Sequence, residues 1–201
     1  MKEYIAMRVA APLSAADPVW ATVPAAELDF GWADCCPSPY TTRARLVHSP
    51  EGLTVRLETT EWPLRATRTV CNEQICEDSC MEFFFIPNTV DKKYINIEIN
   101  PFGVTHVGFG EGRHGRQLLD ISREGFAIET GIRYGSGWMA TVFIPYTFIE
   151  RYYATHTDRM RANFYKCGDL TACQHYSVWS PIELPKPDYH QPDFFGNIIL
   201  G

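Results

Sequence analysis

Long hydrophobic runs are missing from this sequence of 201 residues. The apolar start, MKEYIAMRVAAPL, is cut by Arg8 and closed by Pro12. It therefore lacks the unbroken core of a signal peptide, and no run elsewhere is long enough to span a bilayer. The expectation is a cytoplasmic chain without a membrane partner. Charge of one sign is equally scarce: 18 basic against 24 acidic side chains leave a net charge of -6, and no block of like charges exceeds a pair. Phosphate backbones are gripped by clustered Lys and Arg that displace counterions, so nucleic acid is not an expected partner. Nothing in the sequence speaks to oligomeric state.

Metal and catalytic signatures are also absent. The seven cysteines contain no C-x2-C, and no histidine pair follows at finger spacing. That argues for reduced, mostly buried thiols rather than a zinc finger. Oxygen ligands are plentiful, but no Asp-x-Asp-x-Asp-Gly loop occurs; Asp17 and Asp91 stand alone, so calcium is not assigned and no cofactor is expected. There is no Gly-x-Ser-x-Gly, no His-Glu-x-x-His and no cysteine with a histidine in a signature context. The glycine-rich stretch from Gly108 to Gly115 has no helix after it to hold a phosphate, so it reads as a hairpin loop, with Arg113, His114 and Arg116 able to reach over a neighbouring face. Helical spacing appears only in residues 145–153, PYTFIERYY, opened by a proline suited to a first turn.

What the sequence does hold is aromatics, turns and period-two alternation. Twelve Phe, ten Tyr and five Trp, with 14 Gly and 14 Pro, favour many short strands. Residues 46–58 read as two strands around Ser-Pro-Glu-Gly, residues 81–86 as a central strand covered on both faces, and residues 94–100 as a clean alternation. In the last of these, Ile95, Ile97 and Ile99 face one way while Asn96, Glu98 and Asn100 face the other. Further strands are expected at 105–109, 125–134, 138–144, 162–166, 175–179 and 197–200. No helix–strand rhythm and no linker interrupts them, so the expected fold is all-β: one antiparallel, jelly-roll-like β-sandwich over 1–201 with a single short helix near 145–153.

Six segments in this order resemble the family 9 carbohydrate-binding modules, especially their stand-alone bacterial branch. They are Glu77-Asp-Ser-Cys-Met-Glu-Phe-Phe84, Tyr94-Ile-Asn-Ile-Glu-Ile-Asn100, the Gly137-Trp138 to Ile144-Pro145 step, Arg161-Ala-Asn-Phe-Tyr-Lys-Cys-Gly-Asp169, Trp179-Ser-Pro181 and Phe194-Phe-Gly-Asn-Ile-Ile-Leu200. The resemblance runs from about Ala15 to the C-terminus. It implies a β-sandwich that binds a mono- or oligosaccharide without cleaving it, in service of polysaccharide catabolism, and in some members grips the reducing-end sugar between two aromatic planes. Carried onto this sequence, one plane falls on Tyr189 and the other on Cys76. The family's acidic position falls on Glu82, and a basic one on Glu98.

The residues themselves allow the same chemistry. A sugar needs rings for its C–H faces and paired polar groups for its hydroxyls. Glu82, the Asn96/Glu98/Asn100 face and the Arg161/Asn163/Tyr165 alternation supply the polar groups, while Trp62 and Tyr189, both placed on loops, supply the rings. The candidate ligand-binding set is therefore Tyr189, Trp62, Glu82, Asn96, Glu98, Asn100, Arg161 and Asn163. These polar residues would equally suit the solvated outer face of any sandwich, and Trp62 would equally cap the core. Two other functions remain open. A glycoside hydrolase would use Glu82 and Glu98 as its two carboxylates, and a protein-interaction module would bind no sugar.

Overall fold

The computed structural model describes residues 1–32 and 34–201. The described strands are β1 (Glu3–Arg8), β2 (Ala26–Glu27), β3 (Thr42–Ser49), β4 (Gly52–Thr59), β5 (Cys80–Ile86), β6 (Tyr94–Ile99), β7 (Thr105–Gly110), β8 (Gln117–Leu118), β9 (Ala127–Arg133), β10 (Gly137–Pro145), β11 (Arg159–Gly168), β12 (His175–Val178) and β13 (Gly196–Leu200). A helix, α1 (Tyr146–Tyr152), follows β10 where helical spacing was expected, with Pro145 immediately before it and Phe148 and Ile149 turned inward.

Two sheets form. One runs β8-β7-β6-β5-β11-β13-β1 with β12 beside β11, and the other runs β1-β3-β4-β10-β9 with β2 beside β3. The β-sandwich expected from the alternation is present, but the sheet is mixed rather than purely antiparallel. The reason is β1. Glu3 to Ala6 pair parallel with Asn197 to Leu200 of β13, and Met7 and Arg8 then pair parallel with Val47 and His48 of β3. One strand thus leaves the first sheet and enters the second. The first thirteen residues read as a broken apolar start because Arg8 interrupts them, yet residues 3–8 alternate exposed and buried as an edge-crossing strand does.

Between the sheets, the inward residues of β5 and β6 meet those of β11 and β10. Phe83 stacks on Phe85 at 5.0 Å and on Phe164 at 5.1 Å, and Ile97, Val107, Val55, Leu57 and Val142 fill the remaining space. Burying each such side chain contributes roughly 1.5–3 kcal/mol. Trp138 and Trp179 are buried in this core and Trp20 in a smaller satellite with Leu13, Val23 and Val47.

One ion pair is sealed in the same core. Lys166 Nζ donates to Glu61 Oε2 at 2.9 Å, and both side chains are wholly buried. Glu61 also accepts from Ser79 Oγ at 2.8 Å and Trp138 Nε1 at 3.3 Å, while Lys166 Nζ donates to the Cys167 carbonyl at 2.6 Å.

The opposite, outer face of the first sheet is not solvated. Segment 60–79 is strapped over it by Asp78, whose carboxylate accepts from the Thr67 and Arg68 amides and from Asn100 Nδ2. Segment 181–195 covers it from the other side, with Tyr189 stacked on Tyr165 at 4.2 Å. A cavity remains between the two segments.

Candidate functional site

Strand register decides which side chains share the outer face. Glu82 on β5 stands directly opposite Glu98 on β6 and opposite Tyr165 on β11, and Glu98 stands opposite His106 on β7. The next row pairs Cys80 with Cys167, and Cys167 with Tyr176 on β12. Directly opposed side chains lie about 4.5–5.5 Å apart at Cβ, so two carboxylates and two thiols are forced into one patch.

That patch opens into a cavity of about 210 Å³. The strands contribute Glu82, Glu98, Cys167 and Tyr176; the connecting segments contribute Cys76, Arg113, Asp169, Pro187, Tyr189 and His190. Arg113 donates to Asp188 Oδ1 at 2.6 Å, and Tyr176 Oη donates to Asp169 Oδ1 at 3.0 Å. A wider cleft of about 470 Å³ lies beside β2, but its two carboxylates, Glu27 and Asp29, are exposed and paired with Arg43 and Lys2. Converging buried ionisable groups mark the smaller cavity as the candidate site.

The electrostatics follow from burial. Burial pushes the Glu82 carboxyl well above the usual carboxylate range, and Glu98 opposite pushes it further; the hydrogen bond from the Cys167 thiol pulls it back. Burial also raises Glu98, opposed by His106 and by the amide of Asn96. The Cys80 thiol is pushed up to about 12 by burial. His190 is held neutral, its value lowered to about 3 by burial and by Arg113 and Arg116, while its Nδ1 lies 2.6 Å from Tyr94 Oη. Among the described residues, one group of three metal-ligating side chains occurs, Cys80, Glu82 and Cys167.

Of the residues expected to bind ligand, Glu82, Glu98 and Tyr189 come together at this cavity. Tyr189 was expected on an exposed loop, yet it is only 7% exposed. Its ring lies on Tyr165 and its hydroxyl donates to the Lys166 carbonyl at 2.7 Å. Asn96 sits behind the cavity, donating to Glu98 Oε1 at 3.1 Å and accepting from Arg116 Nε and Nη2 at 3.0 and 2.6 Å. Asn100 is consumed by the fold, accepting from the Phe102 and Val104 amides and donating to Arg68 O and Asp78. Asn163 likewise exchanges hydrogen bonds with Ser180. Arg161 donates to the Asp91 carbonyl, and Trp62 packs edge-on against Tyr134 at 4.7 Å; neither lines the cavity.

Sequence reasoning missed Cys167, Asp169 and Tyr176 as lining residues. The alternation Tyr165, Cys167 was the available signal, since it continues the polar face of the same strand by two residues. Arg116 has a supporting role. Its guanidinium lies 4.1 Å from the Tyr94 ring centroid and donates to the Gly108, Gly110 and Gly112 carbonyls, fixing the glycine-rich loop from which Arg113 reaches the cavity.

A family model described as carbohydrate-binding family 9 matches residues 22–200. Among solved structures, the chain is similar to a candidate carbohydrate-binding protein from Bacteroides uniformis ATCC 8492, 24% identical, covering 100% of this chain and 99% of that one with a TM-score of 0.87. It is also similar to a family 9 carbohydrate-binding module from Caldicellulosiruptor kristjanssonii in complex with glucose, 14% identical, covering 100% and 96% with a TM-score of 0.71. A family 9 module from the same organism in complex with cellotriose is 13% identical, covering 99% and 93% with a TM-score of 0.68. At these identities the likeness is one of fold. No curated protein matches the chain.

Proposed function

The chain belongs to carbohydrate-binding family 9, and from that membership we propose that it binds carbohydrate without cleaving it, in the cavity bounded by Glu82, Glu98, Arg113, Asp169 and Tyr189. The observation that carries this reading is the convergence of those polar groups on one cavity beneath an ordered aromatic. At about 210 Å³ the space is smaller than the roughly 300–1,000 Å³ of common small-molecule pockets, which suits one sugar ring. An oligosaccharide would then enter by one end.

The grip is polar more than aromatic. Cys76 stands where the resemblance placed one ring, and Tyr189 offers little free face because Tyr165 covers it. Hydrogen bonds to charged groups contribute about 1.5–3 kcal/mol each, and two or three of them, less the cost of fixing the sugar, correspond to affinities nearer millimolar than nanomolar.

The absence of cleavage rests on the family membership. Burial raises both Glu82 and Glu98, and Glu98 raises Glu82 further, so a turnover assay separates binding from hydrolysis by two carboxyls.

Titration calorimetry with glucose, xylose, cellobiose, xylobiose and cellotriose at millimolar concentration tests the proposal. Heat of binding with at least one sugar, and no turnover of aryl glycosides, is the expected result. Absence of heat with all of them, extended to a wider glycan panel, overturns it.

A further inference from the structure

Cys80 and Cys167 face each other across β5 and β11, and Glu82 follows Cys80 by two positions on the same face. The ligand atoms of the three side chains all lie within 4.8 Å of one another. Cys167 Sγ is 2.9 Å and Cys80 Sγ 3.8 Å from Glu82 Oε1. All three side chains are buried, yet Glu82 and Cys167 also line the cavity, so the cluster is open on one side.

We propose that Cys80, Cys167 and Glu82 bind one thiophilic divalent cation of the zinc class. Tetrahedral zinc holds sulfur at about 2.3 Å and oxygen at about 2.0–2.2 Å, which sets donor-to-donor separations of roughly 3.5–3.8 Å. The Cys80–Glu82 separation already has that value, and the Cys167–Glu82 separation opens by about 0.6 Å to admit the ion. Two sulfur donors select against calcium and magnesium, which take oxygen.

The surroundings favour a cation. Three carboxyl groups, Glu82, Glu98 and Asp169, border the cavity, while its arginine, Arg113, is half exposed and already paired with Asp188. The side-chain donors that reach Glu82 are the two thiols, which are weak ones. On binding, the metal forms two bonds to sulfur and one to oxygen; each thiol gives its proton to solvent, and so does the Glu82 carboxyl where its raised value keeps it protonated. The fourth coordination position faces the cavity and takes water. No finger-like spacing announces this site; the register of β5 against β11 creates it. It goes beyond the sugar reading and does not depend on it.

The test uses the full chain, reduced and stripped of metal. Expected are uptake of one equivalent of Zn²⁺ with release of at least two protons in weak buffer, and a near-ultraviolet thiolate charge-transfer band on adding Co²⁺. Cys80→Ser and Cys167→Ser each remove the band, whereas the combined Cys35→Ser/Cys36→Ser/Cys173→Ser variant, which alters thiols outside the cluster, keeps it. X-ray absorption of the wild-type zinc complex gives two sulfur neighbours, a reading that holds even if the serine variants fail to fold. No band and no proton release, a band that follows Cys35, Cys36 and Cys173, or a zinc shell without two sulfurs overturns the proposal. Sugar titrations on the same metal-free samples report separately on carbohydrate binding.

Discussion

Replacing Lys166 by Met leaves the Glu61 carboxylate buried without its cation. Both side chains are wholly buried, and the lysine ammonium is held at 2.9 Å from Glu61 Oε2 and 2.6 Å from the Cys167 carbonyl. Removing one partner of a buried pair costs about 3–5 kcal/mol, because the remaining charge keeps its desolvation penalty. The donors left to Glu61, Ser79 Oγ and Trp138 Nε1, are neutral and partly offset this. For a chain of this length, 1 kcal/mol moves Tm by about 2–4 °C, so Lys166→Met is expected to melt roughly 6–20 °C below wild type. The double variant Lys166→Met/Glu61→Leu leaves no unpaired charge and is expected to recover most of the loss. Calorimetric melts and urea unfolding of the wild type, the two single variants and the double variant at neutral pH give the coupling energy. Lys166→Met unfolding within about 1 kcal/mol of wild type, or a double variant that loses the sum of the singles, refutes the reasoning.

Three further outcomes follow from individual contacts. Tyr189→Ala removes a buried ring stacked on Tyr165 and is expected to cost about 3–5 kcal/mol, against about 1 kcal/mol for Tyr189→Phe, which loses only the hydroxyl's bonds to the Lys166 and Ser177 carbonyls; urea unfolding separates the two. His175 is lowered to about 4 by burial and by the Lys166 charge. The folded state thus binds fewer protons than the unfolded chain between about pH 6.5 and pH 4, so the histidine's share of stability is complete above about pH 6.5 and is lost as pH falls toward 4. That share is about 3 kcal/mol, and a His175→Phe variant should show a shallower fall of Tm with acid; His190 acts in the same direction and remains. Gly137 has φ +124°, and a Cβ there would stand 2.0 Å from the Thr59 carbonyl oxygen. Gly137→Ala is expected to cost about 1–3 kcal/mol, and an unchanged urea midpoint would contradict the strain argument.

Much of the sandwich was legible because alternation is a local signal. Ile95, Ile97 and Ile99 opposite Asn96, Glu98 and Asn100 fixed both faces of β6, and the Ser-Pro-Glu-Gly turn fixed the β3–β4 hairpin. What escaped was non-local. β1 was hidden because its pairing partners lie about 40 and 190 residues away, and its alternating burial is not matched by any polar–apolar alternation in Glu3-Tyr-Ile-Ala-Met-Arg8. The same holds for the site. Glu82 and Glu98 were found as polar residues on neighbouring strands, but which of their companions joined them depended on loop cover. Asn100 and Asn163 have the same chemistry as Asn96, yet turn amides and Ser180 absorb their hydrogen bonds. Tyr189 looked exposed among prolines because composition reports a loop and not the surface beneath it. Cys80 and Cys167, 87 positions apart, meet only through the register of β5 with β11.

The central claim is that sugar is held in the cavity at Glu98. Titration calorimetry with glucose or cellotriose, on the wild type, Glu98→Ala and Trp62→Ala side by side, tests it most directly. Losing a charged hydrogen-bonding group at about 1.5–3 kcal/mol predicts affinity weakened roughly 10- to 150-fold in Glu98→Ala. Trp62→Ala, altered outside the cavity, should bind like wild type. Wild-type affinity in a folded Glu98→Ala protein, with binding lost in Trp62→Ala, would contradict the account.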